Sequence, residues 1–253
     1  MDINIVTLFP DFFRSPLKSS ILARAISRDL VRVNTFDPRE FALGKHRNVD
    51  DEPYGGGGGM VFKPEPFFRM WESMKFKEAH CVYLTADGTK LDHQLCIELS
   101  RRSNLVLLCG HYKGIDQRIR EDLIDQEVSV GDFVLTGGEP AAILTIDAIV
   151  RLLPGVLGNF CSALEDSFQE GLLDCPWYTR PEEYNGKRVP EVLQNGDHRQ
   201  TEKWRRLESL KKTFLRRPDL LEKVELDPEE LKLISQWKRE EAFKNSSRLN
   251  KGT

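Results

Sequence analysis

The chain has 253 residues, 40% apolar and 30% charged, with 37 Lys and Arg against 40 Asp and Glu. That length predicts one or two domains with a substantial core, and the composition excludes disorder throughout. The net charge of −3 argues by its sum against a nucleic-acid partner, though a sum does not say where charge sits.

The start, Met1-Asp2-Ile3-Asn4-Ile5-Val6, has neither the basic opening nor the apolar centre of a signal peptide. Five β-rich apolar runs follow: Ile3–Leu8, Val31–Phe36, Cys81–Thr85, Leu105–Cys109 and Val128–Thr136. Between them lie helix-like stretches at Leu17–Arg28, Glu65–Phe76, Leu91–Ser100, Ile115–Leu123 and Ala141–Leu153. Nearly continuous apolar strands alternating with helices predict an α/β fold with a mostly parallel sheet covered on both faces. Pro154-Gly155 closes the last of these helices, and from Gly158 to about Gly196 no periodicity survives. Asp227-Pro228-Glu229-Glu230 then reads as a helix start, with Asp as cap, Pro first and Glu reaching back. The polar tail Lys244–Thr253 is expected to fray. No run approaches the ~18 apolar residues of a membrane span. Five scattered cysteines without a CxxC pair predict no metal site, no disulfide framework and a cytoplasmic location.

Four features could carry chemistry. Gly55 to Gly59, between Pro53-Tyr54 and Met60, permit positive φ and close approach to a ligand. No Gly-Lys-Ser/Thr follows, so this is not a P-loop; a plain flexible loop is equally consistent. Ser129 to Pro140 runs a strand into Gly137-Gly138 and then a helix, and Leu108 to Gly114 ends a strand in a glycine-bracketed loop. Ligands of open α/β sheets sit at such carboxyl ends, where bare backbone and apolar side chains suit a nucleoside. An ordinary tight exit fits each segment as well. Arg151 lies on an otherwise apolar helix, where an unpaired cation is costly, and Glu165-Asp166 stand in the irregular stretch. Finally, Lys203 to Lys223 holds eight basic and three acidic residues, +5 against −8 for the rest. On a helix, Trp204, Leu207, Leu210, Phe214 and Leu215 would form an apolar stripe. Arg205, Lys212 and Arg216 fall opposite it, flanked by Arg206 and Arg217, as a phosphate-binding face would.

Together these segments resemble the bacterial tRNA (guanine-N1)-methyltransferases. The carriers are Ile5 to Pro10, Pro53-Tyr54 with the glycines and Met60, Cys109-Gly110 with Gly114-Ile115-Asp116, Gly131-Asp132 with Gly137-Gly138-Glu139, and Ile146-Asp147-Ala148. Further on stand Pro154 to Gly158, Glu165 to Phe168, Gly171 to Pro176, Tyr178 to Pro181 and Leu215 to Pro218. The resemblance implies a SPOUT-like α/β domain with a C-terminal trefoil knot, plus a small α-helical C-terminal domain. The implied boundaries are 1–158 for the knotted donor-binding and catalytic domain, 159–172 for a flexible linker and 173–253 for a helical tRNA-binding domain. It also implies a homodimer with the active site at the subunit interface.

The implied donor is S-adenosylmethionine. Its adenosine would be held by the backbone of Val130, Gly131, Asp132, Phe133, Val134 and Leu135, with Tyr83, Leu84, Gly110, Gly137 and Gly138. Asp174 would reach the methionine end from the other subunit. Asp166 matches the base that removes the N1 proton, and Arg151 the cation that meets charge on O6. The acceptor would be the guanosine immediately 3′ of the anticodon. A sulfonium donor transfers methyl without a metal, and the sequence leaves a magnesium requirement open.

Several positions depart from the family pattern. His111 and Lys113 replace Arg and Glu, Ala86 a Pro, Pro140-Ala141 a Leu-Pro pair, and Trp177 a His. They leave two alternatives: a non-catalytic RNA-binding relative, or a methyltransferase of the same fold with another RNA target.

Overall fold

Alternation with a period of two sets the sheet, because successive side chains leave a strand on opposite faces. A computed structural model describes residues 1–157 and 166–249, apart from the side chains of residues 77 and 242–249. Its main sheet has five strands: β1 (Asp2–Val6), β2 (Arg32–Phe36), β3 (His80–Lys90), β4 (Asn104–Cys109) and β5 (Gln126–Ser129). The order is β2-β1-β4-β3-β5 and every pairing is parallel. The α/β class with a parallel sheet expected from the sequence is what the chain adopts.

Both faces are covered. On one, Ile3, Ile5, Val82, Leu84, Leu105, Leu107 and Val128 form a buried cluster. It includes Leu22 and Ala25 of α1 (Ser20–Ser27), Leu95 and Leu99 of α3 (His93–Ser100), and Ala142, Ile146 and Ile149 of α5 (Glu139–Val150). On the other, Val6, Cys81, Tyr83, Val106 and Leu108 pack with Phe67, Met70 and Trp71 of α2 (Pro64–Met74) and Ile119 of α4 (Gln117–Leu123). Apolar area removed from water on two faces is the main stabilising contribution.

One sequence expectation is corrected. The apolar run Val128–Thr136 is not a single strand: pairing with β3 ends at Ser129. Phe133, Val134 and Leu135 are 55%, 87% and 40% exposed, so they serve a loop at the sheet's carboxyl edge and not its core.

The chain divides into two compact units, Met1–Phe160 and Cys161–Thr253. The first half of the expected linker, 159–165, with Cys161 and Glu165, lies outside the described residues, as do Gly158 and the last four residues of the tail. Within the second unit, α6 (His198–Arg216) starts at Asp197, whose side chain accepts from the N–H groups of Arg199 and Gln200. Helix α7 (Pro228–Leu249) opens with the expected cap. Asp227 Oδ1 accepts from Glu229 and Glu230 N–H, and Glu230 Oε2 accepts from Asp227 N–H at 3.1 Å; the two orphan ends are satisfied reciprocally. Leu172, Leu210, Phe214 and Ile234 form this unit's buried cluster. Leu215 does not join that stripe: it is 62% exposed, because its turn of the helix swings it past the packed face. None of the helices of the described residues is long and apolar enough to cross a membrane.

Candidate active site

The carboxyl ends of β3, β4 and β5 open into a cleft. Tyr83, Leu84, Gly110, Val130, Gly131, Phe133, Val134, Leu135, Gly137 and Gly138 all line it. Asp132, exposed on the same loop, is not among the lining residues.

Glycine is required here by contact. Gly138 N–H donates to Gly110 carbonyl at 2.9 Å. A Cβ on Gly138 would lie 2.7 Å from Cys109 Cα, and one on Gly110 would lie 2.8 Å from the Tyr83 hydroxyl. The two chain segments therefore meet backbone to backbone, which leaves main-chain groups and exposed apolar side chains as the cleft's lining. That lining suits a nucleoside.

A buried polar network fixes this edge. Thr7 Oγ1 donates to Glu139 Oε1 at 2.7 Å, and His111 Nε2 lies 3.1 Å from Glu139 Oε2. Thr7 and Glu139 are 1% and 3% exposed. Glu139 opens α5, where the helix N-terminus favours a carboxylate. The network ties β1, the 110–114 loop and α5 together. It also accounts for His111, which bridges to Gly137. Below, Arg120 lies 5.5 Å over the Tyr83 ring and binds Glu127 and Asp87. The Thr85 hydroxyl and Arg120 hold the Asp87 carboxyl below its usual range, while burial pushes the Tyr83 hydroxyl up.

The five-glycine loop adjoins this cleft. Lys113 N–H donates to Met60 carbonyl at 3.0 Å, Phe62 N–H to Gly114 carbonyl at 3.1 Å, and Asp116 N–H to Phe62 carbonyl at 3.0 Å. Nothing approaches the Cβ positions of Gly55 to Gly58, and Gly55, Gly56, Gly57 and Gly59 have positive φ.

Arg151 caps the carboxyl end of α5 and is half-buried. Asp166 belongs to the second unit. There it lines a pocket with Asp174, Trp177, Arg205 and Arg206. The basic face of α6 is differentiated by its partners. Arg206 is held by Glu230 at 2.7 Å, and Arg217 by Asp219 at 2.6 Å. Lys212 Nζ donates to Asp174 carbonyl at 2.8 Å, and Arg205 sits 4.6 Å over the Trp177 ring. Arg216 is exposed. Among the described residues no group of three or more His, Cys, Asp or Glu is arranged to hold a metal ion.

Sequence reasoning missed Thr7 and Glu139 as supports, the apolar-to-polar break inside each motif being the available signal. It also missed Trp177 and Glu230 as partners of the basic helix.

Residues 1–223 match the family model described as tRNA (Guanine-1)-methyltransferase TrmD. A Dictyoglomus turgidum protein is 47% identical over 238 residues, covering 94% of this chain and 97% of its own length. A Brevibacillus brevis protein is 50% identical over 241 residues, covering 95% and 99%. A Bacillus licheniformis protein is 50% identical over 241 residues, covering 94% and 99%. Each of these three relatives is named tRNA (guanine-N(1)-)-methyltransferase.

Proposed function

The chain belongs to the tRNA (guanine-1)-methyltransferase family, and from that premise we propose that it methylates N1 of the guanosine immediately 3′ of the anticodon. S-adenosylmethionine, when bound, supplies an activated methyl group on a sulfonium. The observation that carries this reading is the cleft where the Gly110 and Gly137-Gly138 backbones meet, lined by Val130 and Phe133 to Leu135. Its bare main chain and exposed apolar side chains fit an adenosine, with Tyr83 as the floor.

Asp166 accepts the guanine N1 proton, which frees the lone pair that takes the methyl. Arg151 meets the negative charge that builds on O6; a fixed cation is worth most where charge develops. Asp174 pairs with the ammonium at the donor's methionine end. Arg205, Lys212 and Arg216 face tRNA phosphates, with Arg206 and Arg217 organising that face through Glu230 and Asp219.

The same reading includes a trefoil knot in the α/β unit. It includes a homodimer, a cytoplasmic location and the division of labour at 158 and 173. The His111 departure favours no loss of activity, since the His111–Glu139 bond gives that residue a supporting role.

Purified protein incubated with methyl-labelled donor and unmodified tRNA transcript should label the tRNA. The absence of label at enzyme concentrations above that of tRNA contradicts the reading.

A further inference from the structure

Asp174 is held at three points within the second unit. Its N–H donates to Ser167 Oγ at 2.9 Å and its carbonyl accepts from Lys212 Nζ at 2.8 Å. These two bonds fix the main chain. The third acts on the carboxylate itself: the Trp177 indole N–H donates to Oδ2 at 2.6 Å. Burial pushes the neighbouring Cys175 thiol up, and the negative charge of Asp174 acts in the same direction.

Trp177 is 56% exposed, so burial alone does not hold its ring in one rotamer. The Arg205 guanidinium, 4.6 Å over the ring, supplies that restraint through its attraction to the aromatic face. The chain Arg205–Trp177–Asp174 thus runs from the basic helix α6 to a carboxylate in the pocket that also holds Asp166. A bond to an ionised acceptor is strong and directional, so the indole sets where the remaining carboxylate oxygen points.

We propose that Trp177 is a positioning residue for donor binding: its indole N–H aims the Asp174 carboxylate at the donor's ammonium, and Arg205 holds the indole in place. This rests on the reading of Asp174 as the group that meets the methionine end of the donor. A histidine at this position also offers a ring N–H, so the substitution keeps the donor and adds a broader face for the cation.

The test varies S-adenosylmethionine against the full-length protein and unmodified tRNA. Trp177→Phe keeps a ring under Arg205 and loses the N–H. A hydrogen bond to a charged group implies that it raises donor KM by about tenfold, with kcat at saturating donor within about twofold. Trp177→His restores an N–H and returns KM to within about threefold of the parent. Asp174→Ala raises KM at least as far as Trp177→Phe. The double variant adds nothing beyond Asp174→Ala, because the two residues act through one contact.

A parental KM in Trp177→Phe overturns the role of Trp177. So does a Trp177→Phe effect that persists undiminished on top of Asp174→Ala, or one that Trp177→His leaves in place. A parental KM in Asp174→Ala overturns instead the donor-facing reading of Asp174, and the Trp177 role falls with it.

Discussion

The cleft of the first unit is built from backbone, whereas the pocket of the second is built from side chains. In the cleft, Gly110 and Gly138 exclude any side chain at their contact, and the buried Thr7–Glu139–His111 network clamps three elements behind it. In the second pocket, position comes from ion pairs and an indole: Arg206 on Glu230, Arg205 on Trp177, Trp177 on Asp174. Backbone contact tolerates almost no substitution and leaves little freedom to rearrange. Long charged side chains carry more rotamer freedom, and their arrangement can change when a polyanion arrives. The difference suits a cleft for a small constant ligand and a surface for a large flexible one.

The largest effect should come from the second pocket's own chemistry. Asp166→Ala is expected to slow single turnover by about 10² to 10⁴ while calorimetry shows unaltered donor binding. A rate within tenfold of the parent would remove Asp166 from the mechanism.

Next comes the backbone contact. A side chain at Gly138 meets Cys109 Cα and Gly110 N, 2.7 and 3.0 Å from its Cβ, and backbone cannot step aside. Gly138→Val should cost about 1–3 kcal/mol of folding stability, and calorimetry should find weaker donor binding. Parental affinity would mean the cleft is more plastic than its packing implies.

The network behind it is tested by Thr7→Val, which leaves the buried Glu139 carboxyl short of one donor. A loss of about 1–3 kcal/mol in urea unfolding is expected, and an unchanged midpoint would show that His111 alone satisfies Glu139.

The smallest effects separate two arginines of one helix. Arg206→Ala takes the charged partner from the buried Glu230 carboxylate, which keeps the Asp227 N–H, and should lower stability by about 1 kcal/mol. Arg216→Ala should leave stability unchanged and reduce the salt slope of tRNA binding by about 1. Equal behaviour of the two variants would erase the distinction drawn within the basic face.

The sheet was legible because both its faces are buried, so each strand reads as a nearly unbroken apolar run. The same signal misled at Val128–Thr136. Apolar residues that line a ligand cleft look, in one dimension, like apolar residues of a core strand. The α7 cap at Asp227 was legible because all its partners lie within three residues. The charge count of α6 was legible too, but its partners were not. Glu230 is 24 residues from Arg206, and Glu139 is 132 from Thr7. Contacts at those separations depend on the folded topology, which periodicity does not encode. The net charge of −3 concealed a local basic surface, and within that surface it concealed which cations are already engaged.

The most direct test is the identity and position of the modified nucleoside. Nuclease digestion and mass spectrometry of tRNA treated with this protein and donor should find 1-methylguanosine, located immediately 3′ of the anticodon. A 2′-O-methyl nucleoside, or 1-methylguanosine at another position, would contradict the account.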